Sequence, residues 1–257
     1  NKIKKRNEMK DTLLIVTSDH GHSDTAIHID LVEFLQSRGH KVLSYPMIFN
    51  KYLSDIDCSV MVSGNSMAHI YLRSESDWKN KTHFPESDKL INDLLKTDGI
   101  DLVLTLNEKQ QIQVRSKKGF ALIEEKENLI YYKPLKDDPF NYKEMNEMLS
   151  FEEILRETQN SDYPDAITQI VQLFKSPRCG DIVISAETGY DLRKDYEYPE
   201  HKSSHGSLKR EHMVVPLIVN KKINDKNIRT VDLFPTILNY LGKDLIDGID
   251  GKNLNID

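Results

Sequence analysis

Residues 12–25 read Thr-Leu-Leu-Ile-Val-Thr-Ser-Asp-His-Gly-His-Ser-Asp-Thr, an apolar run that ends in Asp19-His20-Gly21. A short apolar run bounded by turn residues reads as a buried strand, and the glycine behind it lets the chain turn sharply. Such a strand delivers a carboxylate and an imidazole, side by side, to the edge of a sheet. Carboxylate oxygen and imidazole nitrogen together suit a divalent metal ion. The plainer reading makes Asp19 a helix cap and His20 a surface residue. Short motifs match by chance often enough that this segment alone does not decide between them.

A second His-Gly step, His205-Gly206, lies ahead of an apolar run expected as a strand over 213–219. By itself a loop histidine reads as solvated, but together with Asp19-His20 it is placed to complete a metal centre. Ser23-Asp24-Thr25, ahead of Ile27, Leu31 and Leu35, reads as a polar cap opening a helix, which makes Asp30 a helix-surface residue. A short strand follows at 41–44. Runs at 58–62 and 68–72, joined by Ser63-Gly64-Asn65-Ser66, read as a hairpin. A helix is expected at 87–96. Four strands are expected at 102–106, 112–115, 120–124 and 129–133, helices at 150–158 and 164–174, and a strand at 181–186. A helix over 230–241 carries Pro235, which predicts a kink or an early break, and Gly242 is a natural stop.

In chain order, Thr-Ser-Asp-His-Gly (17–21), Ser-His-Gly-Ser (204–207), Val-Pro-Leu-Ile-Val (215–219), Arg-Thr-Val-Asp-Leu-Phe-Pro-Thr-Ile-Leu-Asn-Tyr-Leu-Gly (229–242) and Asp-Gly-Lys-Asn-Leu (250–254) resemble the C-terminal half of the alkaline phosphatase superfamily. The nearest branch is the type I phosphodiesterase/nucleotide pyrophosphatase-like proteins, with sulfatases close behind. The resemblance is strong at 11–25 and 181–257 and thin across 45–175. It implies an α/β fold, a mixed sheet core sandwiched by helices, built from 1–45 and 176–257. A smaller α+β insertion over 46–175 would help shape substrate access.

The resemblance also implies a mechanism with two divalent metal ions, zinc first and manganese second, acting on a small-molecule phosphoester. A Thr or Ser attacks phosphorus in line, and the covalent phospho-enzyme is then hydrolysed. Residue by residue, Asp19 and His20 match the pair that binds one ion, and His205 matches the histidine that binds the other. His22 and His201 are expected to touch substrate or to stand behind the ligands. In the family the nucleophile and the remaining Asp and His ligands precede the Asp-His-Gly step, and no residue here matches them. The chain is therefore expected to be a C-terminal portion, inactive alone and completed by an N-terminal segment or companion chain.

Other readings of the same residues are a sulfatase, a mutase of the phosphopentomutase type, and a non-catalytic binding module that keeps the fold. Lys209-Arg210-Glu211-His212 reads as a solvated face with His212 exposed. Tyr131, Tyr132, Phe140, Tyr142 and Trp78 could stack on a base, but core packing is the commoner use of aromatics. In the hairpin turn, Asn65 reads as a turn residue before a leaving-group contact. The net charge of -6 gives no argument for a nucleic-acid polymer as partner. Two cysteines, Cys58 and Cys179, make no disulfide framework. No run of 18 apolar residues supports a membrane span, and the sequence assigns no compartment.

Overall fold

The computed structural model describes residues 8–46, 55–73, 77–78, 80–85, 88–142, 145, 148–195 and 197–256. The chain packs as two units, one of Asn1–His20 with Val214–Asp257 and the other of Gly21–Met213. Strands and helices are labelled below in chain order.

In the smaller unit, β1 (Ile15–Thr17) pairs antiparallel with β13 (Leu217–Val219), Ile15 opposite Val219 and Thr17 opposite Leu217. The strand expected over 12–17 is thus reduced to its last three residues, and Val16 is 50% exposed. A two-stranded ribbon has no second layer of its own to cover it. The run expected to pair from 213 joins the ladder only at Leu217, because Pro216 just ahead has no N–H to offer. A 3₁₀ turn at Thr230–Asp232 leads into α6 (Leu233–Tyr240). Pro235 falls in the first turn of α6, where an N–H has no partner within the helix. The element expected over 230–241 changes from 3₁₀ to α at Leu233, two residues ahead of Pro235.

Asp232 explains the polar residues of this segment. Its Oδ2 accepts from Arg229 N at 2.8 Å and its Oδ1 from Lys252 N at 2.9 Å. The Thr236 hydroxyl donates to Asp232 O at 2.6 Å and accepts from Leu254 N at 2.8 Å. One buried carboxylate and one hydroxyl thereby hold residues 252–254 against 229–236.

The larger unit is built on an eight-stranded mixed sheet. Its members are β3 (Val42–Leu43), β4 (Cys58–Ser63), β5 (Met67–Leu72), β6 (Ile100–Leu106), β7 (Ile112–Arg115), β8 (Phe120–Lys126), β9 (Leu129–Pro134) and β10 (Ile182–Ala186). They lie in the order β3-β4-β5-β10-β6-β7-β8-β9. Only the β3–β4 pair is parallel. β10, from the 176–257 stretch, hydrogen-bonds between β5 and β6 of the 46–175 stretch.

Central strands are buried on both faces, and the alternation of their side chains sorts them into two cores. Leu102, Leu104 and Val183 pack with α3 (Phe151–Thr158) and α4 (Ala166–Lys175) through Ile154, Ile167 and Ile170. Val103, Ile182 and Ile184 pack on the other side with α1 (Leu31–Gln36) and α2 (Lys89–Lys96) through Leu31, Leu35, Ile91 and Leu94. Helices cover both faces of a mixed sheet, which is the expected α/β fold class. Tyr132, Phe140, Tyr142 and Tyr163 pack in the first core with tilted and edge-on rings, the Tyr132–Tyr142 centroids 6.0 Å apart and the Phe140–Tyr142 centroids 5.0 Å apart. Cys58 and Cys179 are both buried and free.

One local reading is corrected. Ser23–His28 is a strand, β2, not the opening of a helix. It lies between β11 (Gly189–Asp191), which runs parallel to it, and β12 (Ser203–Ser204), which runs antiparallel. Partners from 160 or more positions away satisfy its backbone, so the Ile27–Leu31–Leu35 spacing is not a helical face. α1 begins only after Asp30, whose carboxylate accepts from Glu33 N at 2.8 Å and caps it.

Replacing Asp232 by Ala leaves the Arg229 and Lys252 amides without their acceptor. The expected cost is about 2 kcal/mol of stability, read by urea denaturation, with residues 252–254 becoming sensitive to protease.

Candidate functional site

At the end of β1, Ser18, Asp19 and His20 form a tight polar step. His20 N donates to Asp19 Oδ1 at 3.1 Å, and His20 Nε2 lies 3.5 Å from Asp19 Oδ2. Ser18 Oγ donates to His20 O at 2.8 Å. Backbone N–H hydrogen bonding, with the His20 ring adding to it, holds Asp19 below the ordinary carboxylate range. Asp19 is therefore ionised at neutral pH, and its side chain is 84% exposed. The smaller unit's first segment ends at His20.

In the larger unit, Gly21 N donates to His212 O at 2.8 Å. A Cβ on Gly21 would fall 1.9 Å from Glu211 O, so only glycine permits this approach. His212 is buried, 3% exposed, and not the surface residue expected from its charged neighbours. The short helix α5 (Arg210–Met213) turns it inward. There its Nε2 meets Ser23 Oγ at 2.7 Å and its Nδ1 meets Ser207 Oγ at 2.7 Å. One imidazole thus ties residues 21–23 to residues 205–207.

The result of that tie is a pair of stacked imidazoles. The His22 and His205 rings lie 5.5 Å apart at an interplanar angle of 13°. His205 is further moored to the β4–β5 turn: its N–H donates to Gly64 O at 2.7 Å, and its carbonyl accepts from Ser66 N at 2.9 Å. Gly64 has φ +60°, and a Cβ there would stand 2.6 Å from His205 Nδ1.

His201 lies elsewhere in the same unit, against Asn65 Nδ2 at 2.7 Å and Glu197 Oε1 at 3.1 Å. Asn65 is the turn residue expected, with φ +66°, but its amide also reaches Asp191 Oδ2 at 2.8 Å and Glu197 Oε1 at 2.6 Å. Sequence reasoning misses His28, Asp191 and Glu197, which gather here. No motif spacing joins them, and only the β2–β11 pairing reveals that His28 stands opposite Asp191. Lys209 is not on a solvated face either. Its ammonium lies 3.2 Å from Asp101 Oδ1 and donates to Tyr163 OH at 2.6 Å. Burial raises the Asp101 pKa, and Lys209 opposes that rise. Arg210 is engaged by Gln159 O at 2.6 Å.

Residues 1–208 match the family model described as type I phosphodiesterase / nucleotide pyrophosphatase. The match covers most of the chain and contains both the Asp19-His20-Gly21 and the His205-Gly206 steps. The chain belongs to that family, within the alkaline phosphatase superfamily. Comparison with curated proteins returns no match. Membership supports phosphoester hydrolysis on a small-molecule substrate, in a family that is generally metal-dependent. Among the described residues no helix is long and apolar enough to cross a membrane.

Gly64→Ala forces a Cβ into His205 and strains a positive φ. The expected result is a loss of about 1–3 kcal/mol in urea denaturation together with a shift of the His205 ring resonances in NMR. An unchanged His205 signal would contradict the mooring described.

Proposed function

We propose that these residues are the metal-binding share of a phosphodiesterase or nucleotide pyrophosphatase-like centre, with Asp19 and His20 holding one divalent ion and His205 the other. The observation that carries this reading is the mooring of His205. Its backbone is fixed by the Gly64–Ser66 turn and its loop by His212, so the base of its side chain is held in place before any substrate arrives. Pre-organised ligands of this kind are what a catalytic metal site requires.

The donor chemistry fits zinc, with manganese as the alternative. Imidazole nitrogen and an ionised carboxylate are the ligand types both ions accept at neutral pH. When bound, such ions stabilise the attacking and leaving oxygens of an in-line displacement at phosphorus. Asp19 contributes negative charge kept ionised by its own backbone contacts. His22, stacked on His205, restricts that ring's rotation and lines the approach for substrate. His201 is assigned to the Asn65 cluster, behind the ligands. In the family order the Thr or Ser nucleophile and further ligands come ahead of Asp-His-Gly, and no residue of this chain matches them.

In the intact protein, removing divalent ions with EDTA should abolish hydrolysis of bis(p-nitrophenyl) phosphate, and zinc or manganese should restore it. His205→Ala should lower kcat/KM by about 100-fold or more, the several kcal/mol that metal stabilisation supplies. Activity that survives both treatments would refute the assignment. Faster cleavage of p-nitrophenyl sulfate than of the phosphodiester would favour the sulfatase reading instead.

A further inference from the structure

Beside the Gly64–Ser66 turn, β2, β11 and the loop after β11 bring one imidazole and two carboxylates together. His28 Nε2 lies 3.6 Å from Glu197 Oε2 and 3.8 Å from Asp191 Oδ2. The three side chains are 9%, 2% and 0% exposed. Their nearest ligand atoms all fall within 4.8 Å of one another. Neither His28 Nε2 nor Glu197 Oε2 has a hydrogen-bond partner among the described residues. A separation of 3.6 Å is too long for a hydrogen bond between them, and buried polar atoms are rarely left so.

The charge balance points the same way. Among the described residues no Lys or Arg side chain forms an ion pair with Asp191 or Glu197. The two N–H groups of the Asn65 amide reach Asp191 Oδ2 and Glu197 Oε1, and His201 Nδ1 also faces Glu197 Oε1 at 3.1 Å, so Glu197 Oε2 is the carboxylate oxygen left without a donor among the described residues. Arg193 helps only through its backbone N–H, 2.8 Å from Asp191 Oδ1. A bound cation would balance the charge of two buried carboxylates that have so few donors.

The spacing suits one. A tetrahedral site with ligand distances of about 2.1 Å sets neighbouring donors about 3.4 Å apart, close to the separations seen from His28. On its other side, His28 Nδ1 faces Glu200 Oε1 at 3.4 Å. A carboxylate there favours the tautomer with the proton on Nδ1, which turns the Nε2 lone pair toward Asp191 and Glu197.

We propose that His28 Nε2, Asp191 Oδ2 and Glu197 Oε2 bind one divalent transition-metal ion, of the zinc or manganese class. This site uses none of the residues assigned to phosphoester hydrolysis and does not rest on that assignment. Its ion clamps β2, β11 and Glu197 beside Asn65, in the same turn that moors His205. The role is structural support of that turn.

The test is zinc binding by the full chain after stripping with EDTA, with bound metal counted by mass spectrometry of the dialysed protein. The starting variant carries Asp19→Ala, His20→Ala and His205→Ala, which removes the donors assigned to hydrolysis. It should still bind one zinc ion per chain and gain thermal stability on binding. Adding Glu197→Gln or His28→Gln should weaken that binding by more than about 100-fold, beyond the effect of an outer-shell change, and abolish the visible bands of bound Co²⁺. If the triple variant fails to fold, Glu197→Gln in the parent chain should lose one ion from the parent's count, with circular dichroism showing the fold retained. The proposal is overturned if the folded triple variant binds no zinc, or if Glu197→Gln and His28→Gln bind as tightly as their parent. Failure of the hydrolase assignment would show differently, as equal metal counts in the parent and the triple variant.

Discussion

A three-residue turn, Gly64-Asn65-Ser66, is the joint on which the larger unit depends. Gly64 O and Ser66 N grip the His205 backbone from either side. Asn65 O accepts from Leu192 N at 2.7 Å, and Ser66 O accepts from Ala186 N at 2.9 Å. The Ser66 hydroxyl donates to Ser204 Oγ at 2.7 Å, and Thr25 Oγ1 donates to the same oxygen at 2.8 Å. One hairpin tip thus joins the central sheet to β2, β11, β12 and the His205 loop. Such a density of buried polar contacts tolerates little displacement, because each broken bond leaves a desolvated group behind.

The sheet makes that joint stiff. β4 and β5 are paired along their full length, and β5 continues into β10 and β6 with helices packed on both faces. Side chains carried by loops at its edge therefore inherit the precision of the core. His205 and His22 are loop residues by sequence, yet backbone contacts and the His212 imidazole position them. The same joint carries the His28 cluster through the Asn65 side chain. A single turn thus serves two groups of candidate ligands.

Much of this architecture is legible in the sequence, and its limits are physical. The 102–133 meander and the 58–72 hairpin are read nearly to the residue, because short loops and local pairing fix them. β2 is misread because its partners, β11 and β12, lie far along the chain and leave no local trace. His212 is misread for a similar reason: charged neighbours suggest exposure, whereas two distant serines bury it. Asp19, His20 and His205 can be named as candidates from the sequence because they stand in compact motifs. His28, Asp191 and Glu197 meet only through strand pairing, and no spacing rule reaches them. The polar residues of 229–236 are legible as a motif, but their work, holding 252–254 through Asp232 and Thr236, appears only in three dimensions.

Anomalous scattering at the zinc edge from crystals of the protein grown with zinc tests the central claim most directly. The account predicts one peak within coordination distance of a His205 ring nitrogen and another shared by Asp19 and His20, each about 2.1 Å from its donors. Zinc bound only elsewhere, with His205, Asp19 and His20 all uncoordinated, would contradict it.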